Sequence, residues 1–90
     1  MDTKAKLAQI EDMLHKTCDQ MSLLHSTIKN LQLRHRRAAL RGQAVFAQNL
    51  ELKLQVVQSV YNTFYLCAAT QAQQLMLYSV RAKEESELQN

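Results

Sequence analysis

The sequence contains no proline, no tryptophan and a single glycine, Gly42. Tight turns depend on Gly and Pro, because these residues supply the backbone geometry that turns need. A compact fold with many turns or a β-sheet is therefore excluded. The residues that dominate instead are Ala, Leu, Gln, Lys, Glu, Arg and Met, which lose little conformational freedom in a helix. The composition predicts an all-α chain with one or two very long helices.

Cysteine is also scarce. Cys18 and Cys67 are too few for a disulfide framework, and their spacing matches no zinc motif. We interpret both as small, buried apolar residues of a reducing compartment. The first four residues, Met1 to Lys4, lack the apolar run of a signal peptide. We therefore expect a cytoplasmic or nuclear protein that is not secreted.

Charged residues are absent from one long segment. Residues 54–80 contain no Asp, Glu, Lys or Arg. An uncharged run of this length raises the question of a membrane span. Ten of its residues are nevertheless Gln, Asn, Ser or Thr, which are costly to place in hydrocarbon. We expect no transmembrane segment here, but a helix with little surface facing water.

A coiled-coil repeat is present in the first third of the chain. Between residues 7 and 31, positions spaced alternately by three and four residues are apolar, with Thr17 as the one exception. This spacing keeps one narrow stripe of a helix facing a partner helix. Leu7, Leu14, Met21 and Ile28 occupy the a positions of this repeat, and Ile10, Thr17, Leu24 and Leu31 occupy the d positions. The next two a positions are His35 and Gly42, so we expect the stripe to stop before them. The predicted interface residues of this first arm are Leu7, Ile10, Leu14, Met21, Leu24, Ile28 and Leu31.

A second repeat with the same alternation runs from residue 50 to residue 82, with Gln71 as its polar exception. Its predicted interface residues are Leu50, Leu54, Val57, Tyr61, Phe64, Leu75 and Tyr78. Further apolar residues of this second arm cannot lie on the same stripe, namely Phe46, Leu52, Val56, Val60, Tyr65, Leu66, Cys67, Ala69, Met76, Leu77 and Val80. A helix that is apolar around most of its circumference must be covered on several sides. The first arm covers one side, so we expect partner helices on the others.

The two repeats are out of frame by five residues, which rotates the stripe by roughly 140° on a straight helix. The usual tolerated insertion in a coiled coil is four residues. The frame changes within residues 34–44, where the only glycine also lies. We therefore predict one domain over 1–90, an antiparallel helical hairpin with helices at about 3–35 and 44–86 and a bend at about 36–43, assembling into a coiled coil or helical bundle. The alternative is one long bent helix.

The excess positive charge is concentrated beside the predicted bend. The basic patch consists of Arg34, His35, Arg36, Arg37 and Arg41. Its simplest role is to neutralise carbonyls at a helix C-terminus and to keep the bend soluble. The functional alternatives are binding to an acidic partner surface, to anionic lipid or to nucleic acid. Nucleic acid is not favoured, because the patch is short and contains no interleaved aromatic residues for stacking.

Evidence for catalysis or ligand binding is weak. His15, Cys18 and His25 are the only residues that resemble a metal site, and His25 lies about 15 Å further along a helix than His15. The chain has no Gly-rich phosphate loop, no HExxH and no Gly-x-Ser-x-Gly motif. We therefore expect no catalytic, cofactor-binding or metal-binding residues and no enzymatic activity.

The whole chain, short and with interrupted heptads, resembles the small helical subunits of vesicle-trafficking, ciliary, cytoskeletal and kinetochore complexes. This resemblance rests on pattern and assigns no role to an individual residue. It implies a structural or adaptor subunit that forms homo- or hetero-oligomers through helix packing. The alternative function is a small basic helical protein that binds nucleic acid through residues 34–41.

Overall fold

The computed structural model describes residues 2–89, which form two long helices joined by a short turn. Helix α1 spans Thr3–Leu40 and helix α2 spans Ala44–Gln89. The helices pack against each other along their length, and the molecule measures 71 × 15 × 14 Å. The predicted helical hairpin is confirmed, and the alternative of one long bent helix is wrong.

Helix α1 begins at a side-chain cap. Asp2 has an extended backbone, and its carboxylate accepts a hydrogen bond from the backbone N–H of Lys4 at 3.1 Å. The first N–H groups of a helix have no partner within the helix, and a capping carboxylate supplies one. Asp2 therefore fixes the start of α1 at Thr3.

The turn between the helices is a Schellman motif built around Gly42. The N–H of Gly42 donates to the carbonyl of Ala39 at 3.2 Å, and the N–H of Gln43 donates to that of Ala38 at 2.9 Å. Gly42 has φ 70, which only glycine adopts without a steric penalty. The motif confines the bend to residues 41–43.

The predicted helix boundaries were therefore wrong at the bend. Helix α1 continues to Leu40 rather than ending near residue 35. Residues 34–40 are good helix formers, and the left-handed backbone that ends the helix is available only at Gly42. At the other end of the chain, α2 extends to Gln89 rather than to residue 86.

The buried and half-buried residues follow the two predicted heptad frames. Every interface residue predicted for the two arms is buried or half-buried, whereas most residues between them are exposed. Near the turn, a core cluster is formed by Leu31, Ala38, Ala47 and Leu50, with Leu54 and Val57 packed against it. In an antiparallel hairpin that turns at residues 42–43, facing residues have numbers that add up to about 85, as Ala38 and Ala47 do.

The prediction that the first stripe stops before His35 was wrong. His35 is half-buried, and Ala38 is 2% exposed. Both lie at the next positions of the same repeat. Because the chain does not turn until Gly42, this last part of α1 still packs against the beginning of α2.

Two polar residues are buried in the seam between the helices. The hydroxyl of Thr17 donates to the carbonyl of Met13 at 2.9 Å, which satisfies it within α1. Gln71 is 7% exposed, and its side-chain oxygen has no hydrogen-bond partner among residues 2–89. These are the two polar exceptions in the predicted repeats.

Candidate partner-binding surfaces

The residues predicted as a partner interface lie between the chain's own two helices. The seven from α1 and the seven from α2 line a single seam. Most of their side-chain surface is already covered in one molecule. Contact of these residues with another protein stays a prediction, and a partner that leaves the hairpin intact must use other surfaces.

A further heptad repeat, distinct from the two that line the seam, runs along the side of α2 that faces away from α1. Positions alternate by four and three residues from Val45 to Val80, all eleven are exposed, and none is charged. In heptad terms these are the c and f positions, which face away from the a and d positions of the seam. We call this surface the outer stripe: Val45, Asn49, Leu52, Val56, Ser59, Thr63, Leu66, Thr70, Gln73, Leu77 and Val80.

The hydroxyl groups of the outer stripe are partly satisfied within α2. Thr63 donates to the carbonyl of Ser59, and Thr70 donates to that of Leu66, both at 3.1 Å. A threonine bonded in this way has its only side-chain donor already occupied. The cost of removing water from these two residues is therefore reduced.

The exposed side of α1 is different in character. It carries charged residues, and two pairs one helical turn apart are close: Lys16 with Asp12 at 2.9 Å, and His15 with Asp19 at 3.7 Å. Pairs of this spacing are typical of helix surfaces in water. Exposed apolar residues of α1, such as Leu23, are scattered and form no stripe. The hairpin therefore has one water-facing helix and one helix that is apolar on two sides.

The basic patch lies at the turn end of the hairpin. The four arginines of the patch are exposed, whereas His35 is half-buried in the seam, so the patch presents four side chains rather than five. Two apolar side chains, Leu40 and Val45, are 82% and 74% exposed beside it. The turn end of the molecule is therefore both basic and locally apolar.

The cysteines are exposed, so the prediction that they are buried was wrong. Cys18 lies outside the a and d positions of α1, and Cys67 outside those of α2, which is why neither enters the seam. Cys18 and His25 line one shallow hollow together with Tyr61, whose ring centroid is 6.4 Å from that of His25. Within the part of the chain that the structure describes, no three His, Cys, Asp or Glu side chains are placed to hold a metal ion.

The uncharged segment of α2 does not have the character of a membrane span. Over residues 2–89, neither helix contains a stretch that is both long and apolar enough to cross a bilayer.

Comparison with known proteins identifies no relative. No family model, no curated protein and no solved structure matches this chain.

Proposed function

We propose that this chain is a non-enzymatic helical-hairpin subunit that packs the outer stripe of α2 against a helix of another protein molecule. The observation that carries this proposal is the uncharged heptad repeat of the outer stripe, on the exposed side of α2. A helix that faces water on one side normally carries charged and polar residues there. From Val45 to Val80 the outer stripe carries none of the charged ones.

The spacing of the outer stripe supports a helical partner. Positions that alternate by three and four residues stay on one line of a supercoiled helix, so a second helix contacts them all. The stripe covers 35 residue steps, a length of about 53 Å. Exposed Leu and Val side chains occur along this whole length. A small ligand contacts only a short part of such a line, whereas a long helix covers it.

The stripe also differs from ordinary surface apolarity. Single exposed apolar residues are normal on soluble proteins, whereas grouped apolar residues bordered by polar ones indicate an interaction site. Leu52 and Val56 are adjacent in the stripe, as are Leu77 and Val80, and all four are exposed. Because α1 covers the other side of α2, the hairpin presents this array outward.

The test is the native size of the assembly in cells that express the tagged full-length chain. We expect the wild-type chain to elute from native size-exclusion chromatography well above the size of a single hairpin. Leu66→Glu places a carboxylate in the outer stripe, where burying it is costly, and should shift the chain to a smaller size. Leu66 is 66% exposed in the hairpin, so folding itself should be unaffected.

The matched control is Leu23→Glu on α1. Leu23 is 62% exposed, so the two substitutions add the same charge at nearly the same exposure. We expect Leu23→Glu to elute with the wild type. If both variants eluted as the wild type does, the outer stripe would not be the binding surface and the proposal would be overturned.

A second candidate function, binding of nucleic acid, is favoured by the exposed arginines of the basic patch. Neither acid–base side-chain pair found in residues 2–89, Lys16 with Asp12 or His15 with Asp19, involves these arginines, so their charge is available to a phosphate backbone. The test is retention of the pure chain on generic DNA or RNA at low salt. Retention that is lost when the four arginines are replaced by alanine supports this function, and no retention removes it.

A further inference from the structure

We infer that the outer stripe binds a second copy of this chain in the antiparallel orientation. The two α2 helices then lie side by side at the centre, with one α1 helix on each outer side. This inference rests on the proposed function and specifies its partner. Three observations carry it: the surface area of the hairpin, the absence of charge along the stripe and the opposite charges at its two ends.

The hairpin exposes much more surface than a compact protein of its mass. Its accessible area is 7079 Å², about 1,700 Å² more than the roughly 5,400 Å² expected at 10.4 kDa. A stable protein interface covers about 800 Å² on each partner. The hairpin can therefore lose an interface of ordinary size and still expose as much surface as a compact monomer.

The stripe can face a second copy of itself without charge repulsion, because it is uncharged. In a symmetric dimer the same surface faces itself, so every charge near the twofold axis meets a like charge. Residues 54–80 contain no charged side chain at all. Two copies therefore pack their stripes together without like-charge repulsion along this length. The water-facing side of α1 does not have this property, because it carries acids and bases along its length.

The ends of the stripe decide the orientation. Arg41 lies in the turn, just before the stripe begins, and is exposed. At the other end, Glu84 and Glu87 are exposed and continue the same three-and-four spacing beyond Val80. A parallel dimer places arginines beside arginines and glutamates beside glutamates. An antiparallel dimer places opposite charges together at both ends.

The cations near the glutamates do not cancel this preference. The guanidinium of Arg81 lies over the ring of Tyr78, 5.2 Å from its centroid, on the seam side of α2. Lys83 is exposed but lies off the outer stripe. Beyond Val80, the c and f positions up to residue 87 are occupied by glutamates.

The charge match also selects a register. If the turn of one copy lies beside residues 84–87 of the other, the sequence numbers of two facing stripe residues add up to about 129. Leu52 of one copy then faces Leu77 of the other, twice by symmetry. Thr63 faces Leu66 of the second copy close to the twofold axis. This register defines a cross-linking experiment.

The first test is sedimentation equilibrium of the pure full-length chain at micromolar concentration. We expect a dimer for the wild type and for Leu23→Glu, and a monomer for Leu66→Glu with unchanged helicity by circular dichroism. Should Leu66→Glu lose helicity, Thr63→Glu provides the same test, because Thr63 is exposed on the stripe and lies outside the a and d positions of the seam. A wild-type monomer at about 100 µM, where even micromolar affinity produces dimer, would overturn the inference.

The second test is cross-linking by a short bismaleimide in a background with both native cysteines changed to serine. The double variant Leu52→Cys, Leu77→Cys should give a covalent dimer. The two sites are about 37 Å apart along one helix, so they cannot be linked within one chain. Each single variant should remain uncross-linked. Efficient dimer from Leu52→Cys alone would show a parallel arrangement and overturn the antiparallel one.

The third test reverses the end charges. Arg41→Glu should weaken the dimer about tenfold, because the ion pairs it forms are exposed and individually weak but occur at both ends. Adding Glu84→Arg and Glu87→Arg to the same chain should restore the affinity. If the three changes together weakened the dimer more than Arg41→Glu alone, the ends would not face each other as inferred.

Failure of this inference is distinct from failure of the proposed function. A pure chain that is monomeric, in cells where the native assembly still depends on Leu66, means that a different protein covers the stripe. An assembly that is insensitive to Leu66→Glu removes the proposed function and this inference together.

Discussion

Gln71 is the residue whose environment matches its chemistry least well. Its side-chain oxygen is buried in the seam and accepts no hydrogen bond from the described residues. Leaving a buried acceptor unsatisfied costs about 1–3 kcal/mol. Thr17, the other polar seam residue, avoids this cost because its hydroxyl bonds to its own helix.

We expect Gln71→Leu to raise the free energy of unfolding by about 1–3 kcal/mol, because it removes the unsatisfied acceptor and adds apolar contact. Urea unfolding followed by circular dichroism measures the change. The control is Gln58→Leu on the exposed side of α2, which should change the stability by less than about 0.5 kcal/mol. A destabilised Gln71→Leu would mean that the amide makes a favourable contact in solution.

Gly42 is the other residue whose identity is required. No side-chain or backbone atom lies within 4 Å of the position that a Cβ would take, so the constraint is the backbone angle alone. Gly42→Ala should therefore cost about 1–2 kcal/mol, and Gly42→Asn less, because asparagine tolerates the left-handed region better. Thermal melts of both variants, with Gln43→Ala as control, measure their order of stability. Equal stability of Gly42→Ala and wild type would contradict a left-handed turn at this residue.

At the scale of the helices, neighbouring leucines of α1 face different environments. Leu24 is half-buried in the seam, whereas Leu23 is exposed. Leu24→Glu should cost several kcal/mol, because a carboxylate in the seam loses its hydration, and this is comparable to the stability of a small domain. Leu23→Glu should change the stability by less than about 0.5 kcal/mol. Circular dichroism measured as a function of temperature distinguishes the stabilities of these two variants. Full helicity of Leu24→Glu at 37 °C would contradict the seam.

The helices themselves could be predicted from the sequence because their packing is periodic. Seam positions such as Leu7, Leu31 and Tyr78 follow directly from the three-and-four spacing, which is a property of local sequence. The end of α1 could not be derived in this way. It depends on which residue adopts a left-handed backbone and on the hydrogen bonds that follow, and these involve Gly42 rather than the repeat.

The candidate site was only partly accessible to the same reasoning. The extra apolar residues of α2, such as Leu66 and Leu77, were recognised as needing cover, but their arrangement as a second repeat was missed. The signal was present, because the spacing from Val45 to Val80 is strict. It was obscured by the small polar residues among them, which a search for apolar residues alone overlooks.

At the scale of the whole molecule, assembly makes stability depend on concentration. A dimer that forms only from folded chains gains about 2.7 kcal/mol for each hundredfold increase in chain concentration above its dissociation constant. We expect the melting temperature of the wild type to rise between about 2 and 200 µM, a hundredfold range. That of Leu66→Glu should stay constant. A wild-type melting temperature independent of concentration would contradict assembly of the pure chain.

The pairing of α1 with α2 within one hairpin sets the steps by which the length of the molecule can change. Facing residues add up to about 85, so residues 15–21 of α1 lie opposite residues 64–70 of α2. Deleting both heptads removes two facing blocks, leaves each remaining seam residue with its original partner, and shortens the molecule by about 10.5 Å. A deletion of four residues from one arm would instead misalign every pair on the far side of it. The length of such a hairpin therefore changes by seven residues in each helix at a time.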